Sequence, residues 1–190
     1  MDGVAPAGSP EAMRYTRVAV WLHWTIAAFI LFNLAVGWGH DLFARPTAGF
    51  LMSLHKASGL TVLVLALARL AWRLTHRPPP YDPIMKAWEV MLARITHWLF
   101  YLLMLVAPVT GWLMVSAIGR STSWFGLFDV GPLPVGGGED AKETYEERHE
   151  LIGWILLALV ALHLLGALKH QLQGHRHLFG RMAPWFYREA

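Results

Sequence analysis

Cysteine is missing from all 190 residues. Its absence excludes thiolate-ligated haem, iron–sulfur clusters, structural disulfides and covalent haem attachment through a Cys-x-x-Cys-His motif. Charge is scarce as well. Only 15% of residues are Asp, Glu, Lys or Arg, where soluble domains carry about 25%, so a water-soluble core is the wrong frame. The first 16 residues contain no apolar run, and no secretory signal is expected there. Asp2 stands where myristoylation requires glycine.

Apolar sequence fills the gap. Hydrophobic residues make up 55% of the chain and the mean hydropathy is +0.39. Four stretches reach the ~20 residues that cross a hydrocarbon core. They run over about 18–38, 50–72, 90–118 and 149–168. The expectation is an all-α membrane protein, a four-transmembrane-helix bundle within residues 17–172. Residues 1–16 read as a disordered tail, 119–148 as the longest loop, and 173–190 as an amphipathic, basic tail lying on the surface. Pro78-Pro79-Pro80 stops any continuation of the second span. Pro108 and Gly111 are expected to kink the third. The acidic run 139–148 reads as a short helix leading into the fourth.

The net charge of +3 resides in the flanks of the spans, so it reports topology and not nucleic-acid binding. Arg14, Arg17, Arg69, Arg73, Arg77, Lys86, Lys169, Arg176, Arg181 and Arg188 gather on one side. Cations on the other side are diluted by carboxylates, including Asp41, Asp129, Glu139, Asp140, Glu143 and Glu146. The positive-inside rule then places both termini in the cytoplasm and the long loop outside. In a Gram-negative bacterium the chain would be a multi-pass protein of the inner membrane, with the loop in the periplasm.

Five histidines lie within the apolar stretches, at two depths. His55 and His149 lie toward the outer face; His23, His97 and His163 toward the inner. An ionisable group in lipid is costly, and neutral imidazole is the commonest metal ligand. His149 and His163 are 14 residues apart on one span, about 40° short of four full turns and about 21 Å along the axis. They face the same way at two levels. His55 can meet His149, and His23 can meet His163, giving two bis-histidine iron sites stacked across the bilayer. On depth alone His97 is a second candidate partner for His163. His40, His76, His175 and His177 lie in flanks and read as solvated.

Other residues signal less sharply. Gly59 follows His55 by four, and Gly166 follows His163 by three. Small residues there admit either a macrocycle or a neighbouring helix. Arg17, Arg69, Arg73 and Lys169 cluster at the inner end, where haem propionates would need cations. Trp21, Trp38, Trp72, Trp112 and Trp154 fit interfacial belts.

These pieces together resemble the bacterial cytochrome b-561 family of four-span dihaem proteins. The resemblance rests on MRYTRVAVWLHW, SLHKASGLTVLVLALARLAWRL, THWLFYLLMLVAPVTGWLM, RHELIGWILLALVALHLLGALKHQL and the terminal RMAP, and covers residues 13–184. It implies two haem b groups, ligated by His23 with His163 and by His55 with His149, and it leaves His97 aside. It implies superoxide oxidation at the outer face, with electrons passed to ubiquinone near the inner haem, where His170 matches a quinone contact. Lys56, with Arg120 and Arg148, is expected to steer the superoxide anion. The competing reading is an electron-transfer subunit whose acidic loop docks a basic periplasmic redox protein. A proton or metal transporter using histidine relays is a third.

Overall fold

A computed structural model describes residues 14–183 and 185. Its frame is four long helices, α1 (Arg17–Gly39), α2 (Arg45–Thr75), α3 (Ala87–Ala117) and α4 (Gly138–Leu172). All four are long and apolar enough to cross a membrane. The chain passes up and down, so α1 packs on α2, α2 on α3, and α3 on α4. One end of the bundle, the terminal end, carries both described termini and the 76–86 connection. The other, the loop end, carries the short 40–44 link and the long 118–137 link.

Each helix begins at a local start signal in the sequence. The Thr16 hydroxyl accepts from the Ala19 N–H at 3.2 Å to start α1. Pro46 sits in the first turn of α2, where its missing donor costs nothing. The Glu89 carboxylate accepts from the Lys86 N–H at 2.8 Å at the start of α3. Gly137, at φ 121°, leads into α4, and a Cβ there would collide with Ala141.

The core is thin and apolar. Ile26, Ile30, Val62, Ala66, Tyr101, Leu103, Met104, Leu156 and Leu159 form it. Large apolar side chains point outward instead. Trp21 is 70% exposed, Val64 64% and Leu165 63%. That inversion suits lipid as solvent, where helices are held by close packing and buried polar contacts.

Three features depart from the sequence-based expectations. The acidic run 139–148 is not a separate helix; it is the first turns of α4, which is 35 residues long. No proline or glycine separates the two segments, and Lys142 bridges Glu139 at 3.2 Å and Glu146 at 3.7 Å along the helix. The long loop holds a β-hairpin, β1 (Thr122–Trp124) paired antiparallel with β2 (Phe128–Val130), so the chain is not purely helical. The C-terminal tail, through its described residues, folds back onto the bundle. After Gly174 (φ 83°) comes α5 (Arg176–Gly180). Arg181 donates to the Pro80 carbonyl at 2.8 Å, and the Trp24 indole donates to the Met182 carbonyl at 2.7 Å. Pro108 lies within an unbroken α3. The tail expected at 1–16 falls, except for residues 14–16, outside the described residues.

Candidate functional site

The long helices bring the five intramembrane histidines into two groups. At the loop end, the His55 and His149 rings face each other with centres 6.0 Å apart. At the terminal end, His163 lies 6.1 Å from His23 and 5.8 Å from His97. A metal–imidazole nitrogen bond is about 2 Å, and a ring nitrogen lies about 1 Å from its ring centre, so two rings on opposite sides of one ion have centres about 6 Å apart. Both groups match that spacing. Within the terminal-end group, ring separation alone does not choose between His23 and His97.

The loop-end pair is oriented by backbone carbonyls. His55 Nδ1 donates to the Asn33 carbonyl of α1 at 3.2 Å. His149 Nδ1 donates to the Ala107 carbonyl of α3 at 3.0 Å and lies 3.1 Å from the Thr110 hydroxyl. A carbonyl can only accept, so both rings carry their proton on Nδ1 and keep the Nε2 lone pair for a metal. Asn33 is itself braced. Its amide donates to the Phe29 carbonyl at 2.9 Å, and its Oδ1 accepts from Ser58 at 3.0 Å. The sequence showed Asn33 as one polar residue in an apolar span; only the fold shows that its neighbour in space is His55.

Glycines shape the two sites. A Cβ on Gly111 would come within 3.2 Å of His149 Cε1, so α3 must be bare at that point. Among the described residues, an added Cβ at Gly59 or Gly166 would meet no atom of a neighbouring element within 4 Å. Helix packing does not account for them, and open space lies one turn from His55 and from His163. The donor set, ring spacing and clearance fit a bis-imidazole haem at each level.

At the terminal end a small cavity is lined by Arg14, Tyr15, Arg69, Arg73, His76 and Tyr101, among others. Arg69 and Arg73 lie over the Tyr101 ring at 5.9 and 5.8 Å. Among the described residues no carboxylate pairs with either. Arg17 is exposed at the start of α1 and does not line this cavity; Arg14 does. Lys169 is engaged elsewhere, by an ion pair with Glu89 of α3, and stacks 4.8 Å over Trp88. Tyr15 and Tyr101, which no sequence pattern singled out, supply hydroxyls here. Burial pushes the Tyr15 hydroxyl above its ordinary pKa, against the opposing charge of Arg73.

His170 is half-buried near the end of α4, and its Nδ1 is buried with no hydrogen-bond partner among the described residues. Its ring lies 6.4 Å from that of His175. Lys56 follows His55 on α2, is half-buried, and feels the charge of Arg120. Arg148 is exposed on α4 beside His149. The acidic residues of the α4 extension, Glu139, Asp140, Glu143, Glu146, Glu147 and Glu150, are exposed too.

Comparison with known proteins agrees with this architecture. The family described as prokaryotic cytochrome b561 matches residues 14–185. A Yersinia pestis protein named probable superoxide oxidase CybB is 25% identical over 175 residues, covering 90% of this chain and 96% of its own. Cytochrome b561 homolog 1 of Escherichia coli K12 is 27% identical over 173 residues, covering 90% and 97%. Cytochrome b561 homolog 2 of the same organism is 28% identical over 173 residues, covering 85% and 86%.

Proposed function

The chain belongs to the prokaryotic cytochrome b561 family and is thus a bacterial multi-pass membrane cytochrome b of electron transfer, and we propose on that premise that it oxidises superoxide at its loop end and reduces ubiquinone at its terminal end. The observation that carries the reading is the pair of imidazole groups, each spaced about 6 Å centre to centre, set 14 residues apart on α4. His55 with His149, and His23 with His163, would hold two haem b groups. Bound there, haem b would supply one-electron carriage between the two faces. The terminal end, with both termini, faces the cytoplasm, and the membrane is the inner one.

The protein's own groups divide the remaining work. The carbonyls of Asn33 and Ala107 fix the outer imidazoles and raise their basicity. Lys56, with Arg120 and Arg148, draws a small anion toward the loop end. Two superoxide anions would lose one electron each and leave as O₂. One quinone would take both electrons and two protons and become quinol. Arg69 and Arg73 offer guanidiniums to propionates at the terminal end. His170 would hold a proton or a carbonyl oxygen of the quinone. His97 touches His163 without being required as a ligand.

Spectra of single variants test the haem assignment. His55→Ala and His149→Ala should each remove one haem of two, and His23→Ala and His163→Ala the other. His97→Ala should keep both. Loss of the inner haem in His97→Ala, with His23→Ala intact, would exchange the ligand. Rapid mixing with superoxide should reduce the wild-type haems in a saturable fashion. Slow, non-saturating reduction would reject the superoxide step.

The exposed acidic face of α4 supports a second reading, an electron-transfer subunit that docks a basic periplasmic redox protein. Copurification of such a protein, lost when Glu143, Glu146 and Glu147 become Gln and accompanied by superoxide-inert haem, would favour it.

A further inference from the structure

The hairpin at the loop end folds back along the outside of α2. The Trp124 indole N–H donates to the Thr61 hydroxyl at 3.0 Å. Thr61 lies six residues past His55, about 9 Å further toward the middle of the bundle. It sits within residues 57–68, a run with no charge, flanked by Lys56 and Arg69. A segment expected to be a solvated loop is therefore tied to a level occupied by hydrocarbon.

Its chemistry matches that depth. In the register of the hairpin, Thr122 pairs with Val130 and Trp124 with Phe128, while Ser123 pairs with Asp129. Side chains alternate across a strand, so one face is apolar and the other carries the Ser123–Asp129 pair. The tip, Phe125-Gly126-Leu127, adds two more apolar residues. Leu127 is 73% exposed and Phe128 56%, although Phe128 stacks on Trp124 at 5.1 Å. The turn is closed by the Leu127 N–H on the Trp124 carbonyl at 3.0 Å. Phe125 and Gly126 both have positive φ, 51° and 76°. Such a turn favours Asn or Gly at its first central position, and a phenylalanine there is strained. Phe125 finds apolar surroundings within the protein, in edge contact with Trp124 at 5.2 Å and lining a cavity with Trp24, Phe29 and Phe32 of α1 and Leu54 of α2; Leu127 and Phe128 are left without such cover.

We propose that the 122–130 hairpin is seated in the loop-end leaflet, with Leu127 and Phe128 among acyl chains and Ser123 and Asp129 in the headgroup layer. The seat is shallow, because the outer edges of a two-stranded ribbon keep unpaired N–H and C=O groups that hydrocarbon cannot satisfy. It pins the chain that follows α3, and with it Arg120, near Lys56. The partner of this surface is lipid, held by a ribbon in the way that interfacial amphipathic helices are held.

The chain has no cysteine, so single introduced thiols report position without background. Leu127→Cys, Phe128→Cys, Ser123→Cys and Glu139→Cys variants are reconstituted in phosphatidylethanolamine–phosphatidylglycerol vesicles. A membrane-impermeant maleimide is introduced on both sides by freeze–thaw. Monodispersity and far-UV circular dichroism check that each variant is folded, and labelling in SDS sets full reactivity. The thiols of Leu127→Cys and Phe128→Cys should react at least tenfold more slowly than that of Glu139→Cys, with Ser123→Cys close to Glu139→Cys. Reaction of Leu127→Cys within twofold of Glu139→Cys would overturn the proposal, as would protection of Ser123→Cys. The protection should persist in nanodiscs holding one copy of the chain. Protection that vanishes there would assign the face to a second copy and reject lipid as its partner.

Discussion

Gly111 of α3 lies against the imidazole of His149 on α4, so closely that a Cβ would stand 3.2 Å from Cε1. Contact at that distance is tighter than ordinary packing allows, and the ring cannot retreat freely. Its Nδ1 is held by the Ala107 carbonyl at 3.0 Å. Gly111→Ala should shift the midpoint potential and the low-spin electron paramagnetic resonance signal of one haem and leave the other unchanged. Gly111→Val should lose that haem. Equal change at both proposed haems, or at neither, would separate Gly111 from the loop-end site.

Arg69 and Arg73 face Tyr101, with no described carboxylate paired to either. A cation near an iron favours the reduced, less positive state. Arg69→Gln and Arg73→Gln should each lower the midpoint of the haem proposed at the terminal end by about 40–60 mV, the one-electron equivalent of about 1–1.4 kcal/mol. Redox titration reads it directly. Arg17→Gln should shift neither haem, since Arg17 stands outside the cavity.

Asp82 and His177 join the 76–86 connection to α5 at 3.0 Å. Desolvation alone would raise the Asp82 carboxyl. The Ile84 N–H at 3.1 Å, the His177 ring and the Arg181 charge outweigh it, and the carboxyl is held below its ordinary pKa. A depressed carboxyl stabilises the fold at pH above its unfolded value, and that stabilisation is lost as pH falls through the lower folded value. Hydrogen exchange in 176–183 should therefore rise, relative to the intrinsic rate, only on acidification below the usual carboxylate range. Asp82→Asn should abolish that pH step and leave exchange elevated throughout.

Glu89 and Lys169 clamp the start of α3 to the end of α4. Reversing one charge, as in Glu89→Lys, should lower thermal stability in detergent. Adding Lys169→Glu should restore part of it. No restoration in the double variant would show that the pair contributes through packing, with Lys169 on Trp88, and not through charge.

Much of the site was legible because membrane sequences expose their exceptions. In water a histidine in a helix is unremarkable; in a run such as WILLALVALHLLGALKHQL it is a cost that demands a reason. His149 and His163 share a helix, so rise per residue set their separation before any fold was known. His97 shows the limit. Its depth matches His163, and the structure places it nearer than His23, so neither depth nor distance selects the inner ligand. Arg17 and Arg14 differ by less than one helical turn in the sequence, yet only one lines the terminal-end cavity.

Sequence alone determined the spans and the two levels of imidazole, because hydropathy and helical rise are local quantities that no tertiary contact alters. Tertiary structure decided which carbonyl holds each outer ring, which glycine clears His149, and that the segment after α3 turns back along α2 as a hairpin. Those relations join residues 22 to 63 positions apart in the chain. They arise only when helices of set length pack at set angles, and nothing in a local pattern encodes that.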